Sequence, residues 1–285
     1  MQVLSRYLAA TLAVMALAGA GAVWAGVGQP SDWQIGPQDP VTPVGDQIVG
    51  FHTYLLIVIS VITAFVLALL VYVMLRFNAR ANPTPSRTTH NTLLEVAWTL
   101  IPVLILLSIA IPSFKYLFFQ LNTPKADLIV KATGKQWFWS YAYPDSKFEF
   151  DSLMLTDKER KAMLDKDPKA DVPRLLSVDN EMVVPVNKVV VVQVTGADVI
   201  HAWAVPSFGV KIDAIPGRLN ETWFKAEREG VYHGQCSELC GKDHAFMPIT
   251  VRVVSEQAYA AWLEAAKKKY ASEETPAAVT VAAGQ

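Results

Sequence analysis

Two long uncharged runs interrupt an otherwise mixed chain: Tyr54 to Leu75, 22 residues, and Val96 to Phe114, 19 residues. As helices they would extend roughly 33 and 28 Å, close to the ~30 Å hydrocarbon core of a bilayer. The connector carries Arg76, Arg80 and Arg87 and no acid before Glu95. That bias marks the cytoplasmic side, so both outer ends of the hairpin face the exported side. Lys115, Tyr116, Phe118 and Phe119 close the second run, where an aromatic belt and a snorkelling cation belong. Pro102 and Pro112 predict a kink and partner helices. A shorter apolar stretch, Leu8 to Ala22, follows Arg6 and precedes Val23-Trp24-Ala25. This pattern predicts a signal peptide over 1–25, the alternative being an uncleaved membrane helix. Residues 26–47 are polar and rich in Pro and Gly, an exported loop.

Beyond Asn122 to Pro124 the texture changes. Leu128 to Ala132, Lys188 to Val194 and Ile249 to Val254 are β-rich, with turn signals at Pro144-Asp145 and Pro216-Gly217. They predict an antiparallel sandwich or barrel of short strands over 120–255. Asp157 to Lys166 is a helix-compatible insertion, Glu256 to Tyr270 an amphipathic closing helix, and the rest of 256–285 a disordered tail. The hairpin itself is assigned to 48–119.

Composition changes this picture little. The formal net charge of −1 gives no reason to expect a nucleic-acid partner. Two cysteines in 285 residues are too few for a disulfide-stapled fold. Both lie in the run Gln235 to Met247, which offers Cys236, Glu238, Cys240, His244 and Met247 within twelve residues. His201 lies 35 residues before Cys236. Thiolates, imidazoles and a thioether suit copper better than magnesium or calcium. A helix would scatter these side chains around its cylinder, whereas a loop can wrap them about one point. A Cys236–Cys240 disulfide in an oxidising compartment is the competing reading. His233 reads as structural, and His52 and His90 as interfacial.

The aromatic run Trp137, Trp139, Tyr141, Tyr143 has a period of two, which places all four on one strand face, either as core packing or with an exposed indole as an electron acceptor. Asp145, Glu149 and Asp151 follow nearby. Glu95, at the cytoplasmic start of the second apolar run, reads either as a dipole-favoured carboxylate or as a proton-handling group.

From about Ile48 to Trp262 the chain resembles subunit II of haem–copper cytochrome c oxidases, of a proteobacterial type. The motifs that carry this are His90-Asn91-Thr92-Leu93-Leu94-Glu95-Val96-Ala97-Trp98-Thr99, Gly134 to Tyr141, Asp198 to Trp203, Asp213 to Arg218 and the Cys236 to Met247 loop. The resemblance implies a transmembrane hairpin and a cupredoxin-like Greek-key barrel in the periplasm, held at the bacterial cytoplasmic membrane. It implies a dinuclear CuA centre on His201, Cys236, Cys240, His244 and Met247, with the backbone carbonyl of Glu238. It further implies a magnesium or manganese ion on the Glu238 side chain, electron arrival from cytochrome c at Trp137, and docking acids at Asp145 and Asp198. Glu95 would mark the start of a proton route through subunit I, and subunits I and III would be partners. Oxygen reduction would take place in subunit I of an aa3-type enzyme that pumps protons.

Relatives often read Gly-His-Gln-Trp-Tyr-Trp-Ser-Tyr-Glu-Tyr where this chain has Lys135, Phe138 and Ala142, and Lys147 stands in a loop often richer in acids. The expected consequence is weaker, less salt-sensitive docking of a basic cytochrome c, or a different donor. A copper-free quinol oxidase subunit II and an exported copper-delivery protein are the rival functions.

Overall fold

A computed structural model describes residues 28–270; the segments 1–25 and 271–285, expected as signal and tail, lie outside the described residues. Helices α1 (Pro43–Arg76) and α2 (Thr92–Leu121) form the hairpin. At 34 and 30 residues they are roughly 51 and 45 Å long, longer than their uncharged runs. The extra turns have local causes. The Thr42 hydroxyl accepts from the Gly45 N–H at 2.9 Å, and Pro43 stands at the first helical position, where its missing donor costs nothing. The Asn91 side chain caps α2 in the same way. At the far end of α1, Asn78 donates to the carbonyls of Met74 and Leu75 and ends the helix.

Among the described side chains of the hairpin only Val44 and Gly45 are buried. Leu67, Leu75, Leu107 and Ile111 are all more than half exposed. An apolar surface of that extent belongs in lipid and against partner helices, not in water. The helices touch each other through Tyr54 and Ser108, whose hydroxyls are 2.8 Å apart, and through the edge-on rings of Phe51 and Tyr116.

Ten strands are described beyond the hairpin: β1 Leu128–Lys135, β2 Phe138–Tyr143, β3 Phe148–Ser152, β4 Met182–Pro185, β5 Val189–Gly196, β6 His201–Val205, β7 Val210–Ala214, β8 Asn220–Lys225, β9 Gly230–Gln235 and β10 Pro248–Val254. They form sheets ordered β3-β2-β1-β5-β8, β4-β10-β9 and β6-β7. The domain has the cupredoxin-like arrangement of stacked sheets, with two differences from expectation. The barrel is not closed by continuous pairing, and the sheets are mixed: β1 runs parallel to β5, and β4 to β10. Hairpin neighbours such as β1–β2 must be antiparallel. Strands that meet across a long excursion are free of that constraint.

Strand β5 shows how one sequence serves two faces. Val190, Val192 and Val194 enter the main core with Trp139, Tyr141, Trp203 and Phe224, all fully buried. Val191 points the other way, to a second cluster with Val44, Trp223, Ile48 and Phe119. That cluster seats the β-domain on the N-terminal end of α1 and the C-terminal end of α2. The Trp223 indole donates to the Gln120 carbonyl at 3.1 Å, and its ring meets Phe119 edge-on. Helix α3 (Asp157–Lys166) has a complete capping box between Thr156 and Glu159. Helix α4 (Glu256–Tyr270) covers the outer edge of the large sheet, with Tyr270 stacked on Phe150 and Trp262 against Tyr143.

Candidate metal centre

Two loops at one end of the β-domain bring the soft ligands together. His201 opens β6, Cys236 directly follows β9, and Met247 directly precedes β10. A single 3₁₀ turn, His244–Phe246, lies between. The loop is closed by Cys236 N–H donating to the Met247 carbonyl and tied to β6 by Ser237 N–H donating to the Ala202 carbonyl. His201, Cys236, Cys240 and Met247 are buried, and His244 is half-buried.

The two sulfurs are 3.8 Å apart and unbonded. That excludes the disulfide here, whose S–S length is about 2.05 Å, yet it is less than two metal–thiolate bonds of about 2.3 Å laid end to end. Each thiol has its own imidazole and its own weak donor. Cys236 Sγ lies 3.9 Å from His201 Nδ1 and 3.3 Å from the Glu238 carbonyl. Cys240 Sγ lies 3.5 Å from both His244 Nδ1 and Met247 Sδ. The ligand atoms of His201, Cys236 and Cys240 all fall within 4.8 Å of one another. This paired set fits two soft ions bridged by thiolates. The Glu238 side chain does not join it; its residue is exposed, with only the carbonyl turned inward.

The thiols are electrostatically unequal. Burial, then its neighbour Cys236, pushes the Cys240 thiol up to about 12. Cys236 is lowered to about 6: burial opposes ionisation, but the bond with His201 and backbone contacts at Glu238 and Ala202 outweigh it. His201 is raised despite its own burial, through Cys236 and Asp198.

Its ring is closely confined. A Cβ on Gly134 would lie 2.8 Å from His201 Cδ2, so glycine in β1 is what lets the imidazole lie against the strand. The Trp139 ring meets it edge-on.

Trp137 departs from the expected alternation. Strand pairing runs Lys135 to Phe138, leaving Gln136 and Trp137 as the two-residue turn between β1 and β2. Trp139, Tyr141 and Tyr143 share the buried face, while Trp137 is half-buried and turned to the metal-ligand loop. Its indole N–H donates to the Cys240 carbonyl at 3.2 Å, and the Gln136 side chain donates to the same oxygen at 2.8 Å. Gly241, at φ +127°, is required beneath it, since a Cβ there would lie 2.9 Å from the indole. Lys242 stands 5.7 Å over the indole. Lys135 stands over Phe138 and 3.6 Å from Asp151.

Other expected residues lie elsewhere. Asp145 is exposed at the far end of β2, close enough to Tyr259 to raise its phenol to about 12 after burial does so. Glu95 is in the first turn of α2, at the opposite end of the hairpin from the cluster. Asp198 is turned inward, 2.8 Å from His201 Nε2. Gln136, Lys242 and this orientation of Asp198 were not read from the sequence. Their only signal is adjacency to motif residues, which says nothing of direction. His233 is buried, with Nδ1 on the Leu176 carbonyl, as a structural histidine should be.

A membrane hairpin carrying a cupredoxin-like domain, with a CuA-like His/Cys/Cys cluster on its loops, defines the class: a subunit of a redox complex in a membrane. Known proteins narrow it. The family described as cytochrome c oxidase subunit II, transmembrane domain, matches residues 30–116, and its periplasmic domain matches residues 128–254. Cytochrome c oxidase subunit 2 of Cereibacter sphaeroides is 49% identical over 251 residues, covering 85% of this chain and 83% of that protein. A probable cytochrome c oxidase subunit 2 of Rickettsia bellii is 48% identical, covering 86% of this chain and 88% of that protein. The crystallised periplasmic domain of subunit II (CoxB) of Bradyrhizobium japonicum is 69% identical, covering 52% of this chain and 99% of that one, with a TM-score of 0.46. The chain belongs to the cytochrome c oxidase subunit II family, and so to an oxidoreductase complex.

Proposed function

We propose that the chain is the electron-accepting subunit of a haem–copper oxidase, taking electrons from cytochrome c and passing them to haem in subunit I. The carrying observation is the paired ligand set: two buried thiols, each beside its own imidazole and weak donor, with Trp137 bonded to the backbone of one of them. His201, Cys236, Cys240, His244, Met247 and the Glu238 carbonyl would hold a dinuclear copper centre. Bound there, copper supplies one-electron exchange with little ligand rearrangement.

The chain's residues do the rest. Trp137 offers an indole between the surface and the Cys240 carbonyl, and a donor docked against it is one hydrogen bond from a ligand residue. The loop itself is largely exposed, but Cys236, Cys240 and Met247 turn their side chains inward, away from water. The exposed Glu238 carboxylate would hold magnesium or manganese where the chain meets subunit I. Of the two acids expected at a docking side, Asp145 is exposed to a donor beyond β2, whereas both oxygens of Asp198 are engaged within the domain. Glu95, in the first turn of α2, marks the entrance of a proton route through subunit I, and subunits I and III are the chain's partners. The hairpin holds the β-domain in the periplasm of a bacterial cytoplasmic membrane.

A copper-free quinol oxidase subunit has no use for this ligand set, and a copper-delivery protein has no use for a tryptophan locked to it. The test is copper stoichiometry and electron paramagnetic resonance of the full chain in detergent. Two coppers sharing one unpaired electron are expected; one copper with a mononuclear spectrum would overturn the reading.

A further inference from the structure

We infer that Asp198 is a positioning residue that sets the His201 imidazole and the Gln136–Trp137 turn in one geometry, and not simply an acid offered to a donor. The inference rests on the copper reading for its purpose, but its contacts stand independently.

Both Asp198 oxygens are engaged within the domain. Oδ1 lies 2.8 Å from His201 Nε2 and accepts from the Val199 N–H at 2.7 Å. Oδ2 accepts from the Gln136 N–H at 2.7 Å. The His201 side chain is wholly buried and that of Asp198 is 35% exposed, so the carboxylate closes the site from its solvent side.

The chemistry on the His201 side follows from what a carboxylate can do. It accepts and cannot donate, so Nε2 must carry the proton. Nδ1 is then the free lone pair, and it is the nitrogen that faces Cys236 Sγ. A carboxylate behind a ligating imidazole fixes its tautomer and ring orientation.

On the other side, the Gln136 backbone bond holds the two-residue turn that carries Trp137. From that turn, Gln136 Nε2 and Trp137 Nε1 converge on the Cys240 carbonyl. The contacts close a ring: His201 to Asp198, to Gln136, to Cys240, and back through Cys236. One carboxylate thus links a metal ligand on β6 to the indole on the β1–β2 turn. No strand pairing joins β6 to that turn.

The test compares D198A and D198N in the full-length chain in detergent, with copper(II) as the probe and amide hydrogen exchange at Gln136 read in the copper-free chain. D198A is expected to weaken copper retention against a chelator about 10- to 100-fold and to change the copper hyperfine pattern. Its Gln136 amide exchanges faster before any copper is added. In D198N the amide oxygen can still serve His201, but the NH₂ faces the Gln136 N–H. Copper retention therefore returns toward wild type while Gln136 exchange stays fast. Wild-type copper retention and hyperfine pattern in D198A, with a change only in the salt dependence of electron arrival from cytochrome c, overturn the inference. So does wild-type Gln136 exchange in D198N, the deciding measurement should D198A fail to fold. A wild-type chain that takes up no copper pair sinks the copper reading alone, since Gln136 exchange still decides the Asp198 contacts.

Discussion

The hairpin and the β-domain solve opposite problems. Almost every side chain of α1 and α2 faces outward, and their stability in lipid comes from backbone bonds within each helix. The β-domain buries Trp139, Trp203, Tyr141, Tyr232 and Phe224 completely and carries its chemistry on loops at one end. Side chains of the first region are therefore tolerant in an isolated chain, while those of the second are coupled to one another and to the site.

The sharpest test of that contrast is truncation in each region. Trp203→Ala, in the fully buried core, is expected to cost about 3–5 kcal/mol, and Leu70→Ala, on the exposed face of α1, far less in the isolated chain. Denaturant melts followed by near-ultraviolet dichroism separate the two. An equal loss at Leu70 would show that the hairpin packs on something within the chain.

Gly134→Ala probes how tightly core and site are joined. Its methyl would crowd His201, and overpacking of this kind costs about 1–3 kcal/mol. The expected result is weaker copper retention together with a lower melting temperature; a fall in melting temperature alone would separate core from site.

A third test uses pH. Burial holds His233 below the ordinary imidazole range, with Asp171, Glu181 and the Leu176 carbonyl pulling it back up and Arg252 adding to the fall. The folded state then binds fewer protons than the unfolded one. Stability contributed by the neutral ring is complete above the unfolded value of about 6.5 and is lost as pH falls below it, by at most about 1.4 kcal/mol per pH unit. His233→Gln should flatten that slope in the β-domain melt and leave hairpin helicity unchanged.

The smallest effects belong to the surface. Lys242 over Trp137 and Lys135 beside Asp151 place cations next to the aromatic turn. Exposed charges of this kind are worth about 0.2–1 kcal/mol each. Lys242→Gln should make reaction with a basic cytochrome c faster at low salt and more salt-sensitive. Wild-type kinetics that already slow steeply with salt would sink the idea of a weakened acidic face.

The two regions were not equally legible. Run lengths and the three arginines of the connector suffice for a membrane hairpin, because a bilayer imposes length and polarity locally. Helix ends were read less well, since Thr42–Pro43 starts α1 inside a segment that looked like loop. The ligand types and their loop were plain from spacing within the Cys236 to Met247 run. Trp137 was placed on a strand face with Trp139, but the turn lifts it out of the alternation, and a period of two carries no mark of where a strand begins. Asp145 and Asp198 looked alike as acids near motifs, yet one is exposed at the far end of β2 and the other is turned onto His201.

The sequence by itself determined the kinds of donor atoms and the two apolar runs of membrane-spanning length ahead of the β-rich part. These depend on composition along short stretches. Only the tertiary structure decided that each thiol has its own imidazole and weak donor, that Glu238 turns its carbonyl inward and its carboxylate out, and that Asp198 joins His201 to the Trp137 turn. Those arrangements are set by which strands meet across the core, and the pairing of β1 with β5 brings together residues that are far apart along the chain.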